Sequence, residues 1–261
     1  YFQSVIEFTV NDLSLLQIVK AGKLALFYKG KLSRGTCKGH KLTTCKIFKE
    51  VTLKTVENEI AIMKKLGHHH NILQLLDWNT TREPYVFLME FVSQGTLKTF
   101  LLRYKEPLSS SKDSQHLLMV AAYHIALAWN TYVVHGDLAL RNILVGRFPQ
   151  ECKITEFGLA KNFSRMKSRR SSHKRQNMDQ VPLRWYPPEY FKHNYYSFKG
   201  DIWAFGILLW ELHTYGCLPY DHLHTSEDVV FHVCSGYRLK NPENCKPEML
   251  SKKYRFFIGM D

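Results

Sequence analysis

The chain has 261 residues and 45% of them are hydrophobic, so it is long enough for one large domain or for two lobes that each bury a core. Its formal net charge is +13, but six of its Lys and Arg residues fall within residues 164–176 and no nucleic-acid-binding motif accompanies them, so nucleic acid is not an expected partner. No apolar run reaches the length of a membrane span, and the six cysteines lack paired spacing, which argues against a disulfide framework and favours a reducing compartment.

The first part of the chain has the pattern of β-strands. The opening YFQS, residues 1–4, is typical of the remnant of a protease-cleavable tag and is excluded from the domain. Residues 13–32 and 40–49 then form short apolar or β-branched runs that are separated by glycine-containing turns. These runs predict short strands.

Residues 53–66 predict an amphipathic helix. Val56, Ile60, Met63 and Leu66 recur at helical spacing, with charged residues between them. One face of this helix is therefore expected to pack against the strands.

The pattern changes from strands to helices after residue 95. Residues 71–80 and 85–92 predict two further strands, whereas residues 96–104 and 114–132 predict helices. A strand-rich part followed by a helix-rich part indicates two unequal lobes, joined at residues 90–93, with a ligand site expected in the cleft between them. The basic residues 164–176 lack apolar periodicity and predict a loop.

Several polar motifs occur in a defined order along the chain. Lys46 ends a strand, Glu59 lies in the helix that follows, and the segments HGDLALRN (135–142) and EFG (156–158) come later. This order resembles the catalytic domain of protein kinases, of the tyrosine-kinase branch, and the resemblance extends from about Leu13 to Pro247.

This resemblance implies an α+β fold with two lobes. The small strand-rich N-lobe with one regulatory helix is assigned to residues 5–89, the hinge to 90–93 and the larger helical C-lobe to 94–261. Only eleven residues follow NPENCKPEML, fewer than the closing helices of the large lobe need, so a truncated lobe or omitted residues are expected.

The resemblance also implies the roles of the catalytic residues. Asp137 matches the base that receives the proton of the substrate hydroxyl group. Lys46 matches the lysine that holds the α- and β-phosphates of ATP, and Glu59 matches its partner in the helix.

The cofactors implied by the resemblance are ATP and Mg²⁺, with Mn²⁺ as an alternative metal. Asn142 and Glu156 match the metal ligands. The nucleotide-binding set is Gly22, Lys46, Met89, Glu90 and Val92, of which Met89 occupies the position that controls access to the back of the nucleotide pocket.

Tyrosine is the acceptor that the resemblance implies. Serine/threonine kinases usually carry Lys two residues after the catalytic Asp, whereas this chain has Ala139 followed by Arg141, as in the tyrosine branch. Residues 181–189 are similar to the substrate-docking segment of tyrosine kinases, and Asp201 matches the residue that anchors the catalytic loop.

Four departures from the family pattern leave two functions open. Lys20 and Ala25 stand where the phosphate-covering loop normally has glycine, Gly136 replaces an arginine, and Glu156 replaces an aspartate. A side chain in a phosphate loop restricts the approach of the backbone, and Mg²⁺ tolerates little displacement of its ligands. The chain is therefore either an ATP-dependent protein tyrosine kinase, atypical and slow, or a catalytically impaired pseudokinase that acts as a signalling scaffold or allosteric binding module.

The resemblance also has implications for how the protein is regulated. No tyrosine lies between Leu159 and Trp185, so the usual activating phosphorylation is not expected. Arg169 and Arg170 before Ser172 resemble a site for basophilic serine kinases, which would modify Ser171 or Ser172, with a solvated loop as the alternative.

The expected partners are ATP and a protein substrate or signalling partner, and the expected location is the cytoplasm, in a cytoplasmic protein or in the intracellular domain of a membrane protein.

Overall fold

The computed structural model describes most of the chain: residues 13–33, 36–129, 133–162 and 181–242. The chain divides between Ser93 and Gln94 into two compact units. In the ranges given above, no helix has both the length and the apolar character needed to cross a membrane. The predicted basic loop at 164–176, with Ser171 and Ser172, lies outside the described residues, as do residues 243–261.

The first unit contains one antiparallel sheet of five strands and one helix. The strands follow the spatial order β1-β2-β3-β5-β4. The elements are β1 (Leu13–Ala21), β2 (Ala25–Leu32), β3 (Leu42–Phe48), α1 (Leu53–Leu66), β4 (Leu75–Asn79) and β5 (Val86–Glu90). The strand-rich character predicted for this part of the chain is confirmed.

The strand register places four side chains in one row across the sheet. Lys20 in β1 lies opposite Phe27 in β2, Phe27 lies opposite Lys46 in β3, and Lys46 lies opposite Phe87 in β5. Directly opposite residues of neighbouring strands point to the same face of a sheet. Cations and aromatic rings therefore alternate along this row.

The helix α1 has the predicted bounds and the predicted buried face. Val56, Ile60 and Met63 are buried, and Glu59 is buried with them. The helix ends at Gly67, which has a φ of 64° and donates its N–H to the Met63 carbonyl. A left-handed residue after the last turn is the usual way to end a helix with glycine.

The second unit is mainly helical. Its helices are α2 (Leu97–Arg103), α3 (Lys105–Ser110), α4 (Ser114–Trp129), α5 (Pro188–His193), α6 (Phe198–His213) and α7 (Ser226–Cys234). The helices predicted over 96–104 and 114–132 correspond to α2 and α4. Helix α6 is the most buried of them and contributes Ala204, Leu208 and Leu212 to the core.

Two short strand pairs in the second unit position the motifs of the catalytic loop. Strand β6 (Val133–Val134) pairs with β9 (Lys161–Asn162), and β7 (Ile143–Val145) pairs with β8 (Cys152–Ile154). The segments that join these strands are therefore brought side by side. Strands of two or three residues give too short a pattern to be predicted from sequence.

Candidate active site

Lys46 and Glu59 form a buried ion pair in the first unit. Lys46 Nζ lies 2.6 Å from Glu59 Oε1, and the side chains are only 6% and 4% exposed. Strand β3 supplies the lysine and the buried face of α1 supplies the carboxylate. Burial of both charges is tolerable because each neutralises the other. The structure thus brings together the lysine and glutamate that the sequence assigned as partners.

Three phenylalanine rings surround the Lys46 ammonium group. Its nitrogen lies 4.7 Å from the ring centroid of Phe48, 5.7 Å from that of Phe27 and 5.8 Å from that of Phe87. Phe27 and Phe87 are its cross-strand neighbours, and Phe48 lies two residues further along β3 on the same face. A cation within about 6 Å of a ring centroid is attracted by the electron-rich face of the ring.

The turn between β1 and β2 is closed by its own backbone. Gly22 donates its N–H to the Ala25 carbonyl at 2.9 Å, and the Lys49 ammonium group donates to the Gly22 carbonyl at 3.1 Å. A Cβ atom at Gly22 would lie 3.1 Å from the Ala25 oxygen, so a side chain here would crowd the turn. Gly22 therefore shapes the turn, and its N–H is already engaged.

The other residues of the predicted nucleotide-binding set lie at and just after the end of β5. Met89, Glu90 and Val92 are all buried. Glu90 is tied to the chain before β4, because its N–H donates to the Gln74 carbonyl at 3.1 Å and its Oε1 accepts from the Gln74 N–H at 2.9 Å. The Glu90 side chain therefore has a structural role in the first unit.

In the second unit, the Asp137 carboxylate is held by two side chains. Arg141 Nη2 donates to Asp137 Oδ1. Asn142 Nδ2 donates to Asp137 Oδ2 at 2.7 Å and to the Asp137 carbonyl at 2.8 Å. Each carboxylate oxygen has a second lone pair, so both remain able to accept another proton or hydrogen bond.

The backbone before Asp137 is anchored on the fully buried Asp201 of α6. Asp201 Oδ2 accepts from the His135 N–H at 2.6 Å, and Oδ1 accepts from the Gly136 N–H at 2.9 Å and from the Tyr196 hydroxyl at 3.0 Å. Burial raises the pKa of the Asp201 carboxyl, while His135 and these hydrogen bonds act in the opposite direction. The predicted anchoring residue thus contacts the segment it was expected to hold.

Gly136 has a backbone conformation that favours glycine. Its φ is 80°, and a Cβ atom there would lie 3.1 Å from the Leu159 carbonyl oxygen. Its own carbonyl accepts a hydrogen bond of 2.8 Å from the Tyr186 hydroxyl. The position where the family usually has arginine is therefore one where this turn leaves little room for a side chain.

Glu211, a second buried carboxylate of α6, holds the other end of the catalytic loop. Its Oε2 accepts from the Leu140 N–H at 3.1 Å and from Trp185 Nε1 at 2.9 Å. Burial raises the pKa of Glu211, while these hydrogen bonds lower it. The Arg141 guanidinium group lies 4.0 Å from the Trp185 ring centroid and thereby links Asp137 to the segment after residue 181.

Glu156 lies two residues after the end of β8, which pairs with β7. Ile143 faces Ile154 in that pair, and the Thr155 N–H donates to the Asn142 carbonyl at 3.0 Å. Glu156 has φ 67° and ψ 64°, the left-handed conformation, immediately before the 3₁₀ turn that begins at Phe157. This conformation is costly for most side chains and is tolerated best by Gly, Asn and Asp.

The sequence profile of the family described as "Protein tyrosine and serine/threonine kinase" matches residues 13–252. The chain belongs to the protein kinase family, in its tyrosine-kinase branch. The fold described above is accordingly the bilobal kinase fold, with the five-stranded sheet in the N-lobe and the helices in the C-lobe.

Named relatives agree with this assignment. Human tyrosine-protein kinase Fer is 34% identical over 244 residues, which cover 93% of this chain and 28% of Fer. The tyrosine kinase receptor Cad96Ca of Drosophila melanogaster is 32% identical over 216 residues, 78% of this chain and 27% of the receptor. Mouse tyrosine-protein kinase ABL2 is 33% identical over 227 residues, 84% of this chain and 18% of ABL2. The kinase domain thus spans about a quarter or less of these proteins.

The residues present fit the ATP and divalent metal ion that the family uses. Asn142 and Glu156 offer the oxygen donors that Mg²⁺ prefers, and a protein typically supplies only one or two carboxylates to Mg²⁺ beside substrate phosphates. Within the described ranges, no three or more His, Cys, Asp or Glu side chains form a cluster that could hold a metal ion by themselves. Within the run of three histidines at 68–70, His69 Nδ1 accepts the Asn71 N–H at 3.0 Å in a turn.

Several residues of the site were not predicted from the sequence. Tyr186 and Glu211 contact the catalytic loop from positions 50 and 71 residues away in the chain. The rings of Phe27, Phe48 and Phe87 are placed around Lys46 by strand register. The aromatic character of these positions was visible in the sequence, but nothing there indicated which polar group each one would contact.

Proposed function

We propose that this kinase domain is an ATP-dependent protein tyrosine kinase that transfers the γ-phosphate to protein tyrosine, and that its turnover is slow. The observation that carries the proposal is the arrangement of Asp137, because both of its carboxylate oxygens are oriented by Arg141 and Asn142 on a loop anchored to Asp201. A base must be held in a fixed direction relative to the proton that it accepts.

In this mechanism Asp137 accepts the proton of the substrate tyrosine hydroxyl. ATP, when bound, supplies the phosphoryl group. The Lys46 ammonium group neutralises charge on the α- and β-phosphates, and Glu59 keeps the ammonium group in place. Met89, Glu90 and Val92 complete the nucleotide-binding set, with residues 90–93 as the hinge between lobes at 5–89 and 94–261.

Asn142 and Glu156 would hold Mg²⁺ or Mn²⁺. The Asn142 amide N–H groups are directed to Asp137, so the amide oxygen is the atom available for a metal ion. Glu156 is one methylene longer than the aspartate that the family usually has, and a displacement of about 1 Å in a reacting group can cost roughly 100-fold in rate. This is the reason to expect slow turnover.

The choice of tyrosine rests on the residues that follow Asp137. Arg141 contacts both Asp137 and the Trp185 ring, so the loop carrying the base is linked to the segment similar to the substrate-docking region. The small Ala139 leaves no lysine at the position that serine/threonine kinases use. We propose a protein tyrosine as substrate and a cytoplasmic location, where ATP is available.

A pseudokinase that binds a signalling partner is the second candidate. Two observations favour it: the Gly22 N–H is engaged by Ala25 rather than directed to a phosphate, and Glu156 is held in a strained left-handed conformation. Under this alternative the fold is retained as a binding module and the proton acceptor is not used.

Phosphorylation of a generic tyrosine peptide separates the two candidates. We expect a weak signal with Mg²⁺ or Mn²⁺ that is lost in Asp137→Asn and Lys46→Met, while Lys23→Gln, an exposed lysine of the same unit, retains it. Equal signals in wild type and Asp137→Asn would remove the kinase proposal and leave the pseudokinase. Binding of ATP, measured separately by calorimetry, is expected to be weak and to fall sharply in Lys46→Met.

A further inference from the structure

The Lys46 ammonium group, which contacts phosphate in the proposed mechanism, is enclosed by other side chains. The Lys46 side chain is 6% exposed and lies against the Glu59 carboxylate. The rings of Phe27, Phe48 and Phe87 have their centroids within 5.8 Å of its nitrogen. A phosphate oxygen has to come within about 3 Å of that nitrogen to accept a hydrogen bond. One of the enclosing groups must therefore move before a phosphate can bind Lys46.

Two of the three rings are held by each other and by the sheet. Phe48 and Phe87 pack edge to face, with their centroids 4.8 Å apart and an angle of 77° between the ring planes. Phe87 is fully buried, and the Phe48 N–H donates to the Tyr85 carbonyl at 3.0 Å. An edge-to-face pair stabilises both rings beyond the burial of their surfaces. Displacement of either ring would break this contact.

Phe27 is held less firmly than the other two rings. Within the ranges that the structure describes, no other aromatic ring packs against it. Its centroid lies 5.1 Å from the Lys20 nitrogen and 5.7 Å from the Lys46 nitrogen, in the outer part of the range of about 6 Å over which a ring attracts a cation. A Cβ atom at Gly22 would lie 3.7 Å from the edge of this ring. The Phe27 ring therefore reaches from the turn between β1 and β2 to Lys46.

We propose that Phe27 controls the approach of phosphate to Lys46 and thereby sets the affinity of this domain for nucleoside triphosphates. The ring leaves Lys46 by turning about its Cα–Cβ bond to another staggered rotamer, while the other two rings and the Glu59 carboxylate keep the ammonium group in place. The apparent affinity for a triphosphate is then reduced by the fraction of molecules in which the ring is displaced. The inference rests on the proposed nucleotide-dependent function, and it gives a physical reason for weak ATP binding.

The test compares variants that remove one ring at a time. Calorimetry measures binding of ATP with Mg²⁺, and of adenosine, to wild type, Phe27→Val, Phe27→Leu and Phe48→Leu. Phe48→Leu is the matched control, because it removes a ring that lies closer to the Lys46 nitrogen, at 4.7 Å, and leaves the Phe27 ring in place. Thermal unfolding without nucleotide checks that each variant is folded. Phe27→Leu, which changes the side-chain volume least, carries the test if Phe27→Val does not fold.

We expect Phe27→Val to raise the affinity for ATP roughly 10-fold and Phe27→Leu roughly 3-fold, because a smaller side chain covers less of the approach to Lys46. Phe48→Leu should not raise it, and adenosine, which has no phosphate, should show no gain in any variant. The gain should disappear in the Phe27→Val/Lys46→Met double variant, since this variant lacks the contact that the ring blocks.

Four results would overturn the inference. They are ATP affinity in both Phe27 variants no higher than in wild type, an equal gain in Phe48→Leu, an equal gain for adenosine, or a gain that persists without Lys46. Failure of the kinase proposal is seen separately. A phosphotransfer signal that does not depend on Asp137, together with the expected gain in ATP affinity, would reject turnover and keep the role of Phe27.

Discussion

Lys46 in the first unit contacts the Glu59 carboxylate and three aromatic rings, whereas Asp137 in the second unit lies on a loop fixed by hydrogen bonds to two buried carboxylates. A cation can move across the face of a ring with little loss of attraction, whereas a hydrogen bond weakens steeply when it is bent. The ammonium group can therefore turn towards a ligand while it stays beside Glu59 and over the rings, whereas the backbone that carries the base cannot move without breaking several hydrogen bonds.

Because of this difference, we expect mutations in the two units to affect different properties of the protein. In the second unit, the position of Asp137 is part of the fold, so its supporting residues should affect stability most. In the first unit, the supporting residues should affect ligand binding more than stability.

Asp201→Asn should give the largest loss of stability. The two Asp201 oxygens accept hydrogen bonds from His135, Gly136 and Tyr196. Asparagine replaces one of these oxygens by an NH₂ group, which is a donor and cannot accept. The hydrogen bonds at this site are therefore lost or weakened together. We expect the free energy of unfolding in urea to fall by about 3 kcal/mol. Asp221→Asn, at an exposed carboxylate, is the control and should change it by less than about 0.5 kcal/mol. A loss below about 1 kcal/mol for Asp201→Asn would mean that α6 does not anchor the loop.

Glu59→Gln should cost less, although it also removes a buried charge. Removing one partner of a buried ion pair typically costs about 3–5 kcal/mol. The Lys46 ammonium group remains against Phe27, Phe48 and Phe87, which offset part of this cost, so we expect a loss of about 2 kcal/mol in the same urea measurement. The rings should then matter more: Phe48→Leu should destabilise the Glu59→Gln variant more than it destabilises wild type. A loss as large as that of Asp201→Asn would show that the rings do not hold the cation.

Gly136→Ala should destabilise the second unit by about 2 kcal/mol, since it adds a Cβ at positive φ and crowds Leu159. Gly236→Ala is a close control, because Gly236 has a φ of 94° and a Cβ there would meet no atom within 4 Å. The difference between the two losses of unfolding free energy measures the crowding alone. Equal losses would show that Leu159 yields to a side chain and that an arginine at 136 is compatible with this loop.

The order of motifs was sufficient to predict which residues would pair in the first unit. Helix α1 was predicted from the spacing of Val56, Ile60 and Met63, and Lys46 and Glu59 were assigned as partners from their place in the family pattern. The packing of the three phenylalanine rings was not predicted, because it depends on the register of β2, β3 and β5, which a single sequence does not specify.

In the second unit the sequence predicted the loop residues but not all of their support. Asp201 was expected to anchor the loop, whereas the contacts of Glu211 with Leu140 and of Tyr186 with Gly136 were not. Such contacts join residues far apart in the chain and arise only when α6 packs beside the loop. Local patterns of hydrophobicity contain no information about them.

Substitution of His213 should change the free energy of unfolding by a smaller amount, and that amount should depend on pH. Within the part of the chain that the structure describes, neither ring nitrogen of this buried residue of α6 has a hydrogen-bond partner, and burial lowers the pKa of its imidazole. The unfolded chain binds the proton more readily, near its ordinary pKa of about 6.5. His213 therefore lowers stability progressively as the pH falls below that value.

We expect His213→Leu to raise the free energy of unfolding by about 1 kcal/mol at pH 7.5 and by more at pH 5.5. Because Asp201 and Glu211 also titrate, the quantity to compare is the difference between wild type and variant at each pH. His193→Leu, at an exposed histidine, should show no such widening. A difference that stays constant from pH 7.5 to 5.5 would mean that His213 is protonated equally in the folded and unfolded states.

The central claim is that a competent base, Asp137, is limited by a displaced metal ligand, Glu156. The Glu156→Asp variant tests this claim most directly. The measurement is tyrosine phosphorylation of a generic peptide with Mg²⁺ and with Mn²⁺. Aspartate is shorter by one methylene and tolerates the left-handed backbone better, so we expect a gain of about 3- to 10-fold that disappears in the Glu156→Asp/Asp137→Asn double variant. Phosphorylation that stays at background in Glu156→Asp, or that persists without Asp137, would contradict it.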